Sequence, residues 1–472
     1  MSQSPDLCIV GAGALGIALA LYARRLGASV VLVGREGEET GGEAQSDLRL
    51  SALSASASVA ETLRRAAGMG LGPEPRKLAL KAVSERVDRV VAQQSVEQDH
   101  SILAARGIQR LEGPVQFANP RSIQVGDTVV KPRYTVLAPG SIPRLPVIEG
   151  LDRVAYFTPH SIVENTRKLT HLVVIGGGEA AVEMAQIQRR LGAEITLVTQ
   201  GEPLPGYDRE GVDILLPGLQ SEGVRILSDC HVSKIIPRAQ GTGVLVSTAQ
   251  GEVEALDVSH ILVALGHSAD WRDLDLAKAR LRPAKGNPAG LVHGPLGQTS
   301  NRAVRLVGAA AGIEQWAEAL AHGRAVIEAL VHGGNGTSPI APRLVRTDPA
   351  LAQVGSIAQG GNRSGRQVLR ANLGENGLMA SRGRDRGLVK VLAEKRDHIV
   401  GAVIVAPDAG EIAGLVALAM HRRIGLRGLS AMPAPRPSLS AALQELAEEA
   451  LPSRAPSLQL KLHRAWRSLV AR

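Results

Sequence analysis

Aromatic residues make up only 2 % of this 472-residue chain: two Phe, three Trp and four Tyr. Its core must be built from Ala, Val, Leu and Ile, and little is left to stack on unpaired bases. No nucleic-acid-binding motif appears, so no nucleic-acid partner is expected. Cysteine is equally scarce. Cys8 lies inside an apolar strand and Cys230 far away in sequence, which implies neither a disulfide framework nor a metal cluster. No metal site is expected, and the scarcity of thiols suits a reducing cytoplasm. No stretch is long and apolar enough to span a bilayer. The run "LCIVGAGALGIALALYA" lacks a basic leader and is interrupted by glycines, so it is not read as a signal peptide.

Glycine (52), proline (26) and basic charge are plentiful. The net charge is +9 and the pI about 9.9. That excess favours anionic partners such as nucleotide cofactors or acidic lipids, although a solvated arginine-rich surface accounts for it too. A mean hydropathy of +0.04 belongs to a globular chain. The length predicts roughly two to four domains.

"DLCIVGAGALGIALALYARRLGASVVLVG" reads as strand, turn, helix, strand. Gly11, Gly13 and Gly16 form GxGxxG: one glycine for the tight turn, one for backbone approach to a pyrophosphate, one for close helix–sheet packing. With Ala14, they place helix N–H groups before the phosphates. "HLVVIGGGEAAVEMAQIQRRLGAEITLVTQ" repeats the pattern with Gly176 and Gly178, followed by Glu179, and Ala181 in the third place. Two such units predict two cofactor domains, although a doubly wound fold also exists without a dinucleotide. At the end of the second strand, where a carboxylate would bind ribose, stands Gly34, with Glu36, Glu38 and Glu39 close behind. The second unit has Thr199 and Gln200 there, so the choice between NAD and NADP stays open.

Further segments follow in order: "TVLAPGSIPRLPVIEGL" with Gly140, "VALGHSADWRDLDL" with Gly266, "RLVGAAAGIEQWAEALAHGRAVIEAL" with Gly308 and Ala309, "RTDPALAQVG" and "APRPSLSAAL". Together with the two turns, they make the chain similar to the pyridine nucleotide-disulfide oxidoreductase family over about residues 5 to 450. The resemblance implies an α/β fold with two Rossmann-like dinucleotide-binding domains and an α+β dimerisation domain. Residues 1–148 and 268–336 would form a discontinuous FAD domain, 149–267 an NAD(P) domain and 340–450 the dimerisation domain. It also implies FAD, NAD or NADP, a homodimer, and cofactor contacts at the glycines named, Glu36, Glu179 and Ala309.

The same resemblance exposes departures. Ala44 and Arg49 stand at the two redox cysteines and Leu53 at the lysine near the flavin. Arg436 stands for the catalytic histidine and Ala441 for its glutamate, and Ala309 for the aspartate on the ribityl chain. Glu183, the lysine's partner, is kept. Alanine and arginine supply no thiolate, so dithiol chemistry is not expected. Nor does arginine serve as a general base near neutral pH. The intact pyrophosphate turn favours retained FAD. Two readings of Arg49 stand: a solvated side chain, or, four residues before Leu53 and on the same helical face, one that reaches Glu183 in the lysine's stead. Arg49, Glu183 and Arg436 are the candidate catalytic residues.

The tail, residues 451–472, spaces Leu458, Leu462, Trp466 and Leu469 between Lys461, Arg464, Arg467 and Arg472 with no acid. This basic amphipathic helix would rest on anionic lipid at the inner face of a membrane, on an acidic partner, or on its own protein. Two functional readings remain open. One is a flavin enzyme passing electrons from NAD(P)H directly to a small molecule or a redox protein. The other is a non-catalytic homodimer serving as a binding or regulatory module.

Overall fold

The run Leu7–Val10 (β1) is apolar and buried at every position, as a strand covered on both faces of a parallel sheet must be. It leads through the first glycine turn to Ala14–Arg25 (α1), Val30–Gly34 (β2), Gly42–Arg64 (α2), Leu80–Gln94 (α3), Ile108–Glu112 (β3) and Tyr134–Leu137 (β4). His171–Ile175 (β5), Glu179–Arg190 (α4), Glu194–Val198 (β6), Arg209–Ser221 (α5), Val224–Leu227 (β7) and His260–Val263 (β8) repeat the plan. The chain then returns to the first sheet as Val304–Leu306 (β9) and Trp316–His332 (α6). The computed structural model describes residues 2–35, 42–72, 78–94, 100–334, 340–356, 366–394, 397–451, 459–460, 462–463 and 466–467.

The two sheets run parallel in the orders β9-β4-β1-β2-β3 and β7-β6-β5-β8. In each, the glycine turn leaves a central strand and feeds a helix whose N-terminus lies at the sheet's carboxyl edge. Ligands bind at that edge in open α/β sheets. An antiparallel three-stranded layer, Cys230–Pro237, Thr242–Thr248 and Val253–Val258, is inserted before β8. A third unit is antiparallel: Arg343–Val345 (β10), Ala350–Gly355 (β11), Gln367–Asn372 (β12), Leu388–Ala393 (β13) and Ile399–Ala406 (β14), ordered β10-β11-β14-β13-β12. Ala409–His421 (α7) and Leu439–Glu449 (α8) pack their apolar faces onto it.

One core joins all three units. It takes Leu53 and Ala57 from α2, Met184 and Ile187 from α4, and Leu351, Val403 and Val405 from the third sheet. α2 lies along α4 in a fixed register. Arg190 at the end of α4 donates to Ser58 Oγ (3.3 Å), while Arg64 at the end of α2 donates to the Arg190 carbonyl. Among the described residues, no helix is long and apolar enough to cross a membrane.

Candidate functional site

The first cradle is built by backbone. Gly11 has φ +114°, and a Cβ there would lie 1.8 Å from the Ala138 carbonyl oxygen. At Gly16 a Cβ would lie 1.9 Å from the Gly11 carbonyl oxygen. Both glycines are therefore demanded by packing. Gly13 differs: it caps α1 in extended conformation, and a Cβ would meet nothing within 4 Å. Ala14 opens the helix, buried. Gly308, at φ +58°, abuts the Leu15 side chain, so the 308–311 turn with Ala309 lies against the same cradle. This open space before the N-terminus of α1 fits a pyrophosphate.

The end of β2 is occupied by neighbouring side chains. Gly34 ends β2 without a side chain. The next residue, Arg35, sends its guanidinium to the Asp270 carboxylate and the Arg272 carbonyl (2.7 Å). Burial alone would raise the Asp270 pKa, but hydrogen bonds from Arg272 and Arg35 hold it well below the usual carboxylate range. Asp270 N–H donates to the Gly140 carbonyl (3.1 Å), and Gly266 accepts from Arg144 N–H (3.0 Å). These glycines flank the antiparallel crossing of Ser141–Pro143 with His267–Ala269. Glu36 lies outside the described residues.

The second cradle copies the first in its phosphate geometry. Gly176 has φ +140°, and a Cβ there would lie 2.2 Å from the Ala264 carbonyl oxygen; Gly178 caps α4 over open space. Ala181 is fully buried, and its Cβ stands 3.6 Å from a Cβ built at Gly176, an ordinary contact that explains why alanine is tolerated. A cleft of about 1140 Å³ opens over this turn, lined by Gly176–Gly178, Thr199–Tyr207 and Cys230, with Arg370 and Lys390 from the third unit at its far side. The Thr199 hydroxyl is committed to the Gly201 carbonyl. Glu179 in the first turn of α4 accepts from Tyr207 Oη (2.6 Å), Gln315 Nε2 (2.6 Å) and Arg343 Nη2 (2.8 Å). Gln315 caps α6, so this carboxylate ties the second cradle to the first unit and to β10.

Glu183, one turn along α4, is 2 % exposed and accepts the Arg346 backbone N–H at 2.6 Å. Burial pushes its pKa up to about 7, against the pull of the Arg346 charge. Arg346, between β10 and β11, places its guanidinium 3.0 Å from Asp47 of α2. Burial raises the Asp47 pKa as well. Of the two readings of Arg49, the pair with Glu183 does not form. Arg49 bonds instead to Asp88 of α3 at 2.7 Å. Its reason is helical phase: two residues turn the helix about 200°, so Arg49 faces away from the side on which Asp47 meets Arg346. Leu53 shares the Arg49 face and is buried at 4 %, beside Leu80 and Val83 of α3. Asp47, Arg346 and the Glu179 partners were missed in the sequence because no local pattern joins them. The opening Arg346 of "RTDPALAQVG" was the only signal, and it carried no spacing to Glu183.

The remaining candidates are dispersed. Arg436 is 65 % exposed and pairs with Glu445 of α8 at 2.9 Å. The Ala44 side chain lies outside what is described. Cys8 and Cys230 are free, buried, and members of different cores. Burial pushes the Cys8 thiol up to about 12. The described tail residues are helical, with Leu462 and Trp466 at least 60 % exposed.

Two parallel nucleotide-type sheets, each with a glycine turn at its carboxyl edge, joined to an antiparallel third unit define a two-dinucleotide oxidoreductase fold. The chain belongs to the pyridine nucleotide-disulphide oxidoreductases: that family's model matches residues 5–323, and the model of its dimerisation domain matches residues 341–447. It is 29 % identical over 464 residues to a dihydrolipoyl dehydrogenase of Thermus scotoductus, covering 94 % of this chain and 96 % of the relative. A mercuric reductase of Streptomyces lividans is 28 % identical, with 86 % and 88 % covered. In fold it is similar to LpdA from Mycobacterium tuberculosis (TM-score 0.83, 22 % identity, 95 % and 100 % covered). It is also similar to the HOCl-induced flavoprotein disulfide reductase RclA from Escherichia coli (TM-score 0.80, 20 % identity, 94 % and 100 % covered). The family is one of FAD-dependent pyridine-nucleotide oxidoreductases.

Proposed function

We propose that this chain is a flavin-dependent NAD(P)H oxidoreductase that works as a homodimer without a dithiol relay. The observation that carries the reading is the pair of cradles left open at Gly13 and Gly178 while both cysteines are locked in separate cores. The first unit would comprise 1–148 and 268–336, supported by β9 returning to β4; 149–267 would form the second and 340–450 the dimerisation unit. Bound FAD would accept hydride from the nicotinamide and yield electrons to an acceptor. The N–H groups around Gly11, Gly13 and Ala14 would hold its pyrophosphate, and those around Gly176, Gly178 and Glu179 the nicotinamide nucleotide. Neither Thr199 nor Gln200 brings a charge to the second cradle's adenosine end, so these two residues favour neither NADH nor NADPH. With no thiolate at positions 44 and 49, the acceptor, a small molecule or redox protein, must take electrons from the flavin directly.

A second reading, a catalytically silent binding module, is favoured by two features: Arg35 reaches Asp270 where a ribose carboxylate would stand, and Ala309 brings no polar side chain. Colour separates the two. The enzyme reading requires purified protein to be yellow and to bleach on adding NADH or NADPH without oxygen; colourless protein overturns it. The basic tail, with Leu462 and Trp466 exposed, would hold a cytoplasmic protein at an anionic membrane surface or on an acidic partner. Equal liposome sedimentation of the whole chain and of one ending at residue 451 would reject the membrane role.

A further inference from the structure

We propose that Arg346, delivered from the third unit, supplies the positive charge that stabilises the reduced flavin between the two cradles. The inference rests on the flavin reading above. Three elements converge on it: α2 brings Asp47, α4 brings Glu183, and the turn between β10 and β11 brings Arg346. This cluster lies one turn along α4 from the second cradle. The neighbouring Glu179 bonds to Gln315 at the start of α6, and the preceding turn packs Gly308 on Leu15 beside the first cradle.

Arg346 is held at two points, by its backbone N–H on Glu183 and by its guanidinium on Asp47, yet its side chain is 31 % exposed. Glu179, Tyr207 and Arg343 face the same junction, and Arg343 is engaged with Glu179 at 2.8 Å while lying over the Tyr207 ring. Burial weakens the ionisation of both carboxyls beside Arg346, whereas a guanidinium stays charged throughout the accessible pH range. Arg346 is thus the persistent charge of its triad. A ring that gains negative charge on reduction is stabilised by a fixed cation in a site partly shielded from water. Leu53, apolar and packed on α3, supplies no such charge, and Arg49 is turned toward Asp88.

The test is an anaerobic redox titration of the purified, flavin-loaded protein against a reference dye, comparing wild type with Arg346→Met, Arg346→Lys and Asp47→Asn. Arg346→Met should shift the flavin equilibrium toward the oxidised form about tenfold, which is about 30 mV for a two-electron couple. Arg346→Lys should restore most of the shift. Asp47→Asn, which frees the guanidinium from its anion, should move the equilibrium the other way. An unchanged equilibrium in Arg346→Met, with only thermal stability lowered, makes Arg346 an interdomain tie and overturns the inference. If Arg346→Met fails to fold, an Asp47→Asn protein with an unmoved equilibrium overturns it instead. Colourless wild-type protein overturns the flavin reading and this inference together.

Discussion

The two glycine turns agree wherever backbone makes the contact and differ wherever side chains do. Gly11 and Gly176 both take positive φ and both press against a carbonyl of the neighbouring strand's exit, Ala138 and Ala264. Gly13 and Gly178 both cap a helix over open space. Beyond the backbone turns the likeness ends. The first helix has no acid in its first turn, while the second opens with Glu179 bound to three partners from three segments. The end of β2 is bridged by Arg35 and Asp270, while the end of β6 shows a threonine turned inward. Phosphate recognition is written in chain geometry and tolerates little change. Recognition of sugars and rings rests on replaceable side chains, and there the molecule has diverged.

The likeness is broken most forcefully at the first glycine. Gly11→Ala should cost about 4 kcal/mol or more, since strain and a backbone clash coincide; Gly176→Ala should behave alike in chemical denaturation. If either melts as wild type, the turns are not equivalent. The side-chain half is probed by Glu183→Gln. A carboxyl whose folded pKa is raised to about 7 penalises the folded state as pH climbs from its unfolded value toward 7, so stability should fall over that window. The amide still accepts the Arg346 N–H. Glu183→Gln should therefore gain roughly 1–3 kcal/mol at pH 8 and little at pH 5, read as melting curves at the two values.

Gly13→Ala and Gly178→Ala should leave stability within about 0.5 kcal/mol, since space is open and φ is ordinary, yet weaken nucleotide binding roughly tenfold. Calorimetry with flavin nucleotide for the first and NAD(P)H for the second would show which cradle still works. The smallest effect belongs to Arg49→Ala. Its partner Asp88 is 59 % exposed, so the pair should contribute less than about 1 kcal/mol and fade in high salt.

Much of the fold was legible because glycine spacing and buried β-runs are local. Leu7–Val10 and Val30–Gly34 are apolar throughout, and the second turn repeats the first. The helix containing Arg49 and Leu53 was legible too, and the two residues do share a face. Which neighbour that face meets was not. Helical periodicity orders residues around one axis, but only packing against α3 and α4 decides that Arg49 meets Asp88 and that Asp47 looks toward Glu183 through Arg346. Asp47 and Arg346 are almost 300 residues apart, and no spacing rule reaches across such a distance. The exposed pairing of Arg436 with Glu445 was likewise hidden, because it depends on the turn that precedes α8.

The most direct measurement is the reducing stoichiometry of the purified chain, titrated with NADH or NADPH in the absence of oxygen. Two working cradles without a sulfur centre predict that a single nicotinamide equivalent per chain bleaches the flavin completely, with no further uptake. Consumption of a second equivalent would reveal another two-electron centre and contradict the account, as would protein that carries no flavin to bleach.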